Sequence, residues 1–194
     1  MSEWWTYRLS DFLMFSPRTY WRLVELYNRE LWPAHLAALA TGIAAATLAW
    51  RGRLTRAVSA LLAAGWAWCA WGFLWQRYAG INWGAQYLAA AFAAQAVLLL
   101  ATAALPHGAP VAEGPRRAGA AIAVLALLYP ASGLLWGRPL SQAETFGLMP
   151  DPTALLTCGV LLMLPLARWL RGAALAVPLL SLAAGAATHW AMAG

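Results

Sequence analysis

The chain has 194 residues, of which 62% are hydrophobic and only 10% charged, with a mean hydropathy of +0.60 and a net charge of +6 carried entirely by arginine. So little polar surface cannot cover a water-soluble globule, which places the polypeptide in a bilayer. The positive charge is scattered between apolar runs rather than gathered with aromatics on one patch, which argues against nucleic acid as a partner, and two isolated cysteines exclude a disulfide framework or a CxxC metal motif.

In chain order, residues 1–30 mix charge with aromatics. Ser16 followed by Pro17 is a helix start, serine as N-cap and proline at the first helical position. Beyond it Arg18, Arg22, Glu25 and Arg29 form one stripe, and Tyr20, Leu23, Val24, Tyr27 and Leu31 a neighbouring one. The pattern predicts an amphipathic helix lying in the membrane plane, arginines at lipid phosphates, ending where Pro33 permits a turn. The preceding "WWTYRLSDFLMF" reads as a second interfacial piece, and its charges argue against a cleaved signal peptide. Arg18, Tyr20, Arg22, Tyr27 and Arg29, with Phe146 later in the chain, are the residues expected on a surface facing lipid or a partner subunit.

From residue 31 to 194 six uncharged windows approach the roughly 20 apolar residues that cross a core of about 30 Å. They are 31–50, 57–75, 84–105, 118–136, 152–167 and 173–193. Trp32, Trp50, Trp75, Trp83, Trp136, Trp169 and Trp190 sit at or near their ends, where indole rings prefer the headgroup level. The expected fold is all-α: a polytopic bundle of six transmembrane helices after an interfacial amino-terminal helix. Short connections after windows one, three and five carry Arg51, Arg53, Arg56, Arg116, Arg117, Arg168 and Arg171, against Arg77 and Arg138 on the other side. That bias places both termini outside the cytoplasm of a bacterial inner membrane, although four arginines in the amino-terminal tail pull the other way.

Within the windows no carboxylate or cation occurs, so the usual mark of a proton- or sodium-coupled carrier is missing. Pro130, Pro165 and Pro178 predict kinks, and Gln95, near mid-membrane, marks the bundle interior. His35 and His189 fall about 6 Å below the same membrane face by helical rise, and Cys69 and Cys158 about 9 Å below it. Histidines could ligate haem and the cysteines copper or zinc; against this stands the ordinary use of cysteine as a small apolar residue and of interfacial histidine as a carbonyl partner. Trp68, Trp71 and Trp75 share one face of the second window, and His107 lies in a loop. No Ser-His-Asp order, GxSxG, phosphate loop or HExxH is present, and no motif demands a cofactor.

Two segments, "WWTYRLSDFLMFSPRTYWRLVELYNRELWPAHLAALATG" and "LYP…TFGLMPDPTALLTCGVLLM", resemble an uncharacterised family of small bacterial integral membrane proteins. Ser10, Asp11, Phe12, Ser16, Pro17, Arg18, Tyr20, Leu26, Tyr27 and Trp32, with Phe146, Gly147, Pro150, Pro152 and Thr153, carry the resemblance. It implies a shared six-span architecture and no activity. The family pattern has a cysteine where this chain has Asp151, so a thiol-dependent role does not carry over. The two segments are expected to form one surface unit, the interfacial helix folding onto the "TFGLMPDPT" loop.

Taken together these features point first to a non-catalytic accessory or assembly subunit of a larger bacterial inner-membrane complex, partnered by lipid and by other membrane subunits or copies of itself. A small transporter or channel for a neutral solute or soft metal ion is the alternative, with Gln95, Cys69, Cys158 and the tryptophans Trp68, Trp71 and Trp75 on its path, and a redox protein with haem on His35 and His189, or with copper, a third reading.

Overall fold

A computed structural model describes residues 13–105 and 108–193. His107 and most of the "WWTYRLSDFLMF" segment lie outside that range. Among the described residues every regular element is helical: α1 (Pro17–Leu31), α2 (Ala34–Trp50), α3 (Thr55–Trp68), α4 (Ala85–Ala104), α5 (Glu113–Ser132), α6 (Pro150–Met163) and α7 (Arg168–Ala193). By length and apolarity four helices suit a membrane crossing, namely 55–80, 85–104, 113–136 and 168–193; α1 and α2, bent by 90°, pass the same test as a pair.

The start of α1 follows its sequence. The Ser16 hydroxyl accepts the Thr19 backbone N–H at 3.2 Å, and Pro17 opens the helix. Tyr20, Val24, Tyr27 and Asn28 recur at helical spacing and are buried, while Arg18, Arg22 and Arg29 face outward. The right-angled break comes at Trp32 and Pro33, where a ring without an N–H cannot continue the helix.

α3 ends differently from a simple span. The seven residues that continue it, Cys69–Trp75, run as a π-helix, which widens the turn and leaves Trp68, Trp71 and Trp75 exposed on the outer surface. Of the three expected kinks, α5 and α7 continue through Pro130 and Pro178. The fifth window does not stay helical to residue 167. α6 stops at Met163 because Leu164 takes the extended conformation that a following proline favours, and α7 resumes at Arg168. Carbonyls freed in that stretch are capped: Arg171 donates to Leu164 O at 2.9 Å, and Gly108 N–H to Pro165 O at 2.5 Å.

Eleven of the fourteen residues of α6 are buried, so this short helix is the core of the molecule. It crosses α5 with almost no separation: a Cβ on Gly159 would stand 2.7 Å from the Ala123 nitrogen, so only glycine permits the approach. Polar pairs join the other helices. Trp66 Nε1–H donates to Thr157 Oγ1 at 2.8 Å, Ser59 and Thr102 hydroxyls lie 3.0 Å apart, and Gln95 Nε2 donates to Ala174 O at 2.8 Å.

The connection from α5 to α6 begins at the surface, with Leu135, Trp136 and Leu140 exposed, but its last part turns inward. Residues 144–149 are all buried. Gly147 turns the chain at φ +75°, its N–H donates to Thr153 Oγ1 at 2.8 Å, and that hydroxyl donates to Met149 O at 2.6 Å. α1 lies over this segment. Tyr20 OH donates to Glu144, Tyr27 OH to Leu148 O at 3.4 Å, and Asn28 Nδ2 to Ser141 O and Ala143 O at 2.9 and 2.8 Å. The folding of α1 onto this loop, read from the sequence, is therefore present, and its ties are tyrosine and asparagine rather than arginine.

Candidate functional site

Five described acidic residues divide into two kinds. Glu25, Glu30 and Glu113 pair with arginines at the surface: Glu25 with Arg22 and Arg29, Glu30 with Arg77, Glu113 with Arg117. Exposed pairs of this sort stabilise little. Glu144 and Asp151 pair, among the described residues, with no arginine. Both are buried, 4% and 8% exposed, and both meet His189.

Three elements bring them together. Glu144 comes from the buried loop, Asp151 from the first turn of α6, where the helix dipole favours a negative charge, and His189 from α7. His189 Nε2 lies 3.3 Å from Asp151 Oδ2 and 4.0 Å from Glu144 Oε2. One ligand atom from each of the three residues falls within 4.8 Å of the others. Two phenols complete the arrangement: Tyr20 OH donates to Glu144 Oε1 at 3.0 Å, and Tyr129 OH to Asp151 Oδ2 at 3.3 Å. The imidazole stacks on Trp21 with ring centres 5.7 Å apart, and the Arg138 guanidinium covers the same indole at 3.7 Å from its centre.

The group borders a cavity of about 260 Å³ that is also lined by Asn82, Ser181 and Thr188. Space for Asp151 depends on one glycine. A Cβ at Gly185, one turn before His189, would overlap both Asp151 carboxylate oxygens. Burial, and next the Asp151 charge, push the Glu144 carboxyl up to about 7 against the opposing influence of His189, the Tyr20 hydrogen bond and Arg138. Burial, then Glu144 and Asp151, hold the Tyr20 phenol well above its usual range, so it stays a donor. Two carboxylates and an imidazole so disposed can share a proton or ligate a cation. Oxygen, oxygen and nitrogen donors at this spacing suit a divalent first-row ion.

The residues singled out from sequence fall in different places. His189 is in the cluster; His35 is not. His35 Nε2 lies 3.0 Å from Asn28 Oδ1, beside a separate cavity of about 340 Å³ with Trp32 and Leu36 in its wall. Cys69 and Cys158 are free thiols buried in the α3 extension and in α6, and neither belongs to a group of three metal-type ligands among the described residues. Arg18, Arg22 and Arg29 are exposed as expected. Tyr20, Tyr27 and Phe146 are corrected: they are 7%, 3% and 2% exposed, interior rather than lipid- or partner-facing. The reason is that α1 buries its aromatic stripe against its own chain, Tyr20 on Glu144 and Tyr27 on Leu148, with Phe146 packed beside Gly42 and Gly65.

Glu144 and Asp151 were not among the sequence candidates. One signal bore on them: after residue 30 the chain has three acidic residues, and these two fall seven apart in one connection, flanking the apolar "TFGLMP".

The chain belongs to a family of unknown function, DUF6064, whose profile matches residues 18–190 and so spans the site from Tyr20 to His189. No curated protein and no solved structure matches it.

Proposed function

We propose that this DUF6064 member is a bacterial inner-membrane protein of six crossings that binds a divalent transition-metal ion between Glu144, Asp151 and His189 and carries it as cargo. The observation that bears the proposal is the convergence of those three donors within 4.8 Å in the interior of an apolar protein. Burying two carboxylates costs several kcal/mol each unless charge is matched. A doubly charged cation against two carboxylates and a neutral imidazole leaves the site without net charge. Manganese, iron(II), cobalt and zinc accept this donor set, and the soft copper(I) that thiols would favour does not. Ser181, Thr188 and Asn82 in the cavity wall can hold water on the open positions of the ion.

Six crossings follow from adding α2 and α6 to the four long helices. α6 is about 21 Å long by helical rise, and the four non-helical residues 164–167 add at most about 13 Å of reach toward a core of about 30 Å. Non-helical backbone at that depth is tolerated where it is enclosed by protein and its carbonyls are capped, as they are by Arg171 and Gly108. The arginine bias puts the cluster toward the extracytoplasmic face. An accessory-subunit role needs no buried acid–imidazole group, and leaves this one without a purpose.

The test is metal binding by the purified protein in mild detergent after stripping with chelator. One Co²⁺ or Mn²⁺ per chain is expected, with affinity falling by more than about 100-fold in Asp151→Asn and His189→Gln. Equal binding by wild type and both monodisperse variants would overturn the proposal. Transport itself is read from Mn²⁺ uptake into proteoliposomes, where wild-type flux no greater than that of the variants would confine the role to binding.

A further inference from the structure

A third cavity, of about 590 Å³, lies between the outward face of α1 and the turn that follows α3. Arg18 and Arg22 enter it from successive turns of α1, Gln76 and Arg77 from the other side, with Leu23 and Leu26 as its apolar floor. Arg22 is held by Glu25 at 3.1 Å and Arg77 by Glu30, so both guanidinium groups are anchored near the cavity. Three arginines, 18, 22 and 77, line it with a single glutamate, Glu30, which leaves a surplus of positive charge.

Trp75 immediately precedes Gln76. Trp71 and Trp75 are exposed and stand at one end of an alanine-lined groove of about 720 Å³ between α3 and α4, walled by Ala64, Ala67, Ala93 and Val97. From Ala89 to Leu100 the groove follows α4 for about 17 Å, against about 15 Å for the hydrocarbon of one leaflet. Indoles mark the headgroup level, so the basic cavity stands where phosphates lie and the groove where acyl chains lie.

We infer that the protein holds one anionic phospholipid, its phosphate on Arg18, Arg22 and Arg77 and one acyl chain in the α3–α4 groove. Guanidinium groups suit the site because they bind phosphate oxygens in pairs. The inference rests on the membrane reading above and is independent of the cation site.

The experiment is native mass spectrometry of the full chain released from mild detergent, joined to thermal unfolding with phosphatidylglycerol or phosphatidylcholine added. One retained anionic lipid per chain is expected, with phosphatidylglycerol favoured at least 10-fold. The preference should fall below 3-fold in Arg18→Gln/Arg22→Gln and in high salt. Ala93→Phe, which fills the groove, should lose the retained lipid while keeping wild-type helix content. Equal response to the two lipids, or lipid retention unchanged in both variants, overturns the inference. So does stabilisation by inorganic phosphate equal to that by phosphatidylglycerol, which would assign the arginines to a free anion. A dimer that Ala93→Phe converts to monomer with lipid retained would give the groove to a second copy, and overturns it too. Co²⁺ affinity should be unchanged in the arginine variant, which separates failure here from failure of the cation site.

Discussion

Replacing Gly185 by alanine tests the site at its tightest contact. Gly185 lies four residues before His189 on α7, so the two share a face. A Cβ there would stand 2.7 Å from Asp151 Cγ and closer still to both carboxylate oxygens, well inside ordinary contact. Asp151 has little freedom to retreat. It is bonded by Tyr129 and His189, and Pro150 and Pro152 fix the backbone on either side. Gly172, on the same helix with nothing within 4 Å of its Cβ position, supplies the control. Gly172→Ala should gain up to about 1 kcal/mol from helix propensity alone. Gly185→Ala should instead lose about 1–3 kcal/mol through overpacking, and weaken Co²⁺ binding by at least ~10-fold as the carboxylate is displaced. Thermal unfolding followed by tryptophan fluorescence, with a Co²⁺ titration, reads both. If Gly185→Ala matches Gly172→Ala in stability and wild type in Co²⁺ affinity, Asp151 does not lie against α7.

The buried Glu144 carboxyl, raised to about 7 from an ordinary 4.5, makes metal-free stability depend on pH. Between those values the folded protein keeps a proton that the unfolded chain has released, so this stabilisation is full below about 4.5 and is lost as pH rises through 7. The free energy of unfolding, read from denaturant melts, should decline by an amount on the order of 3 kcal/mol from pH 5 to 8, and Glu144→Gln should flatten the slope; a rising profile would contradict it. Thr157→Val strands the Trp66 indole N–H and should cost about 1–3 kcal/mol, with Thr157→Ser largely sparing it, measured by the same melts. Gln95→Leu gives up one bond to Ala174 O but also removes a buried Oε1 without a partner, so its effect should stay within about 1 kcal/mol; a loss above about 2 kcal/mol would mean that Gln95 has a partner not assigned to it here. Tyr20→Phe leaves Glu144 Oε1 without its donor and should lower stability by about 1–3 kcal/mol while helix content is unchanged by circular dichroism.

Helices were legible wherever a local rule decides them. Each uncharged window contains a helix, and Ser16–Pro17 marks the start of α1 to the residue. What failed to show was anything set by lateral order. His35 and His189 share a depth in sequence, yet they border different cavities. Glu144 lies in a connection, where side chains are usually solvated, and only the burial of residues 144–149 beneath α1 makes it interior. The aromatic stripe of α1 fitted lipid and protein equally well; hydrogen bonds from Tyr20 and Tyr27 decided for protein. The π-helical end of α3 has no local signature at all.

The position of the cluster reconciles an uncharged set of windows with a charged interior. A carboxylate in the middle of a span raises the cost of inserting that helix by about 2.5–3.5 kcal/mol. Glu144 avoids this by lying in a connection, and Asp151 by lying in the first turn of α6, so the windows themselves stay free of charge. The acids become interior only when the loop folds under α1 and α6 packs beside α7. From then on their burial is sustained by donors from elements that arrive separately: Tyr20 from α1, Tyr129 from α5 and His189 from α7. None of these donors alone reaches both carboxylates by hydrogen bond, and α6 alone supplies none. The site is therefore a product of tertiary assembly, and α1 is part of it rather than an appendage, because the same helix that presents arginines outward holds Glu144 in place within.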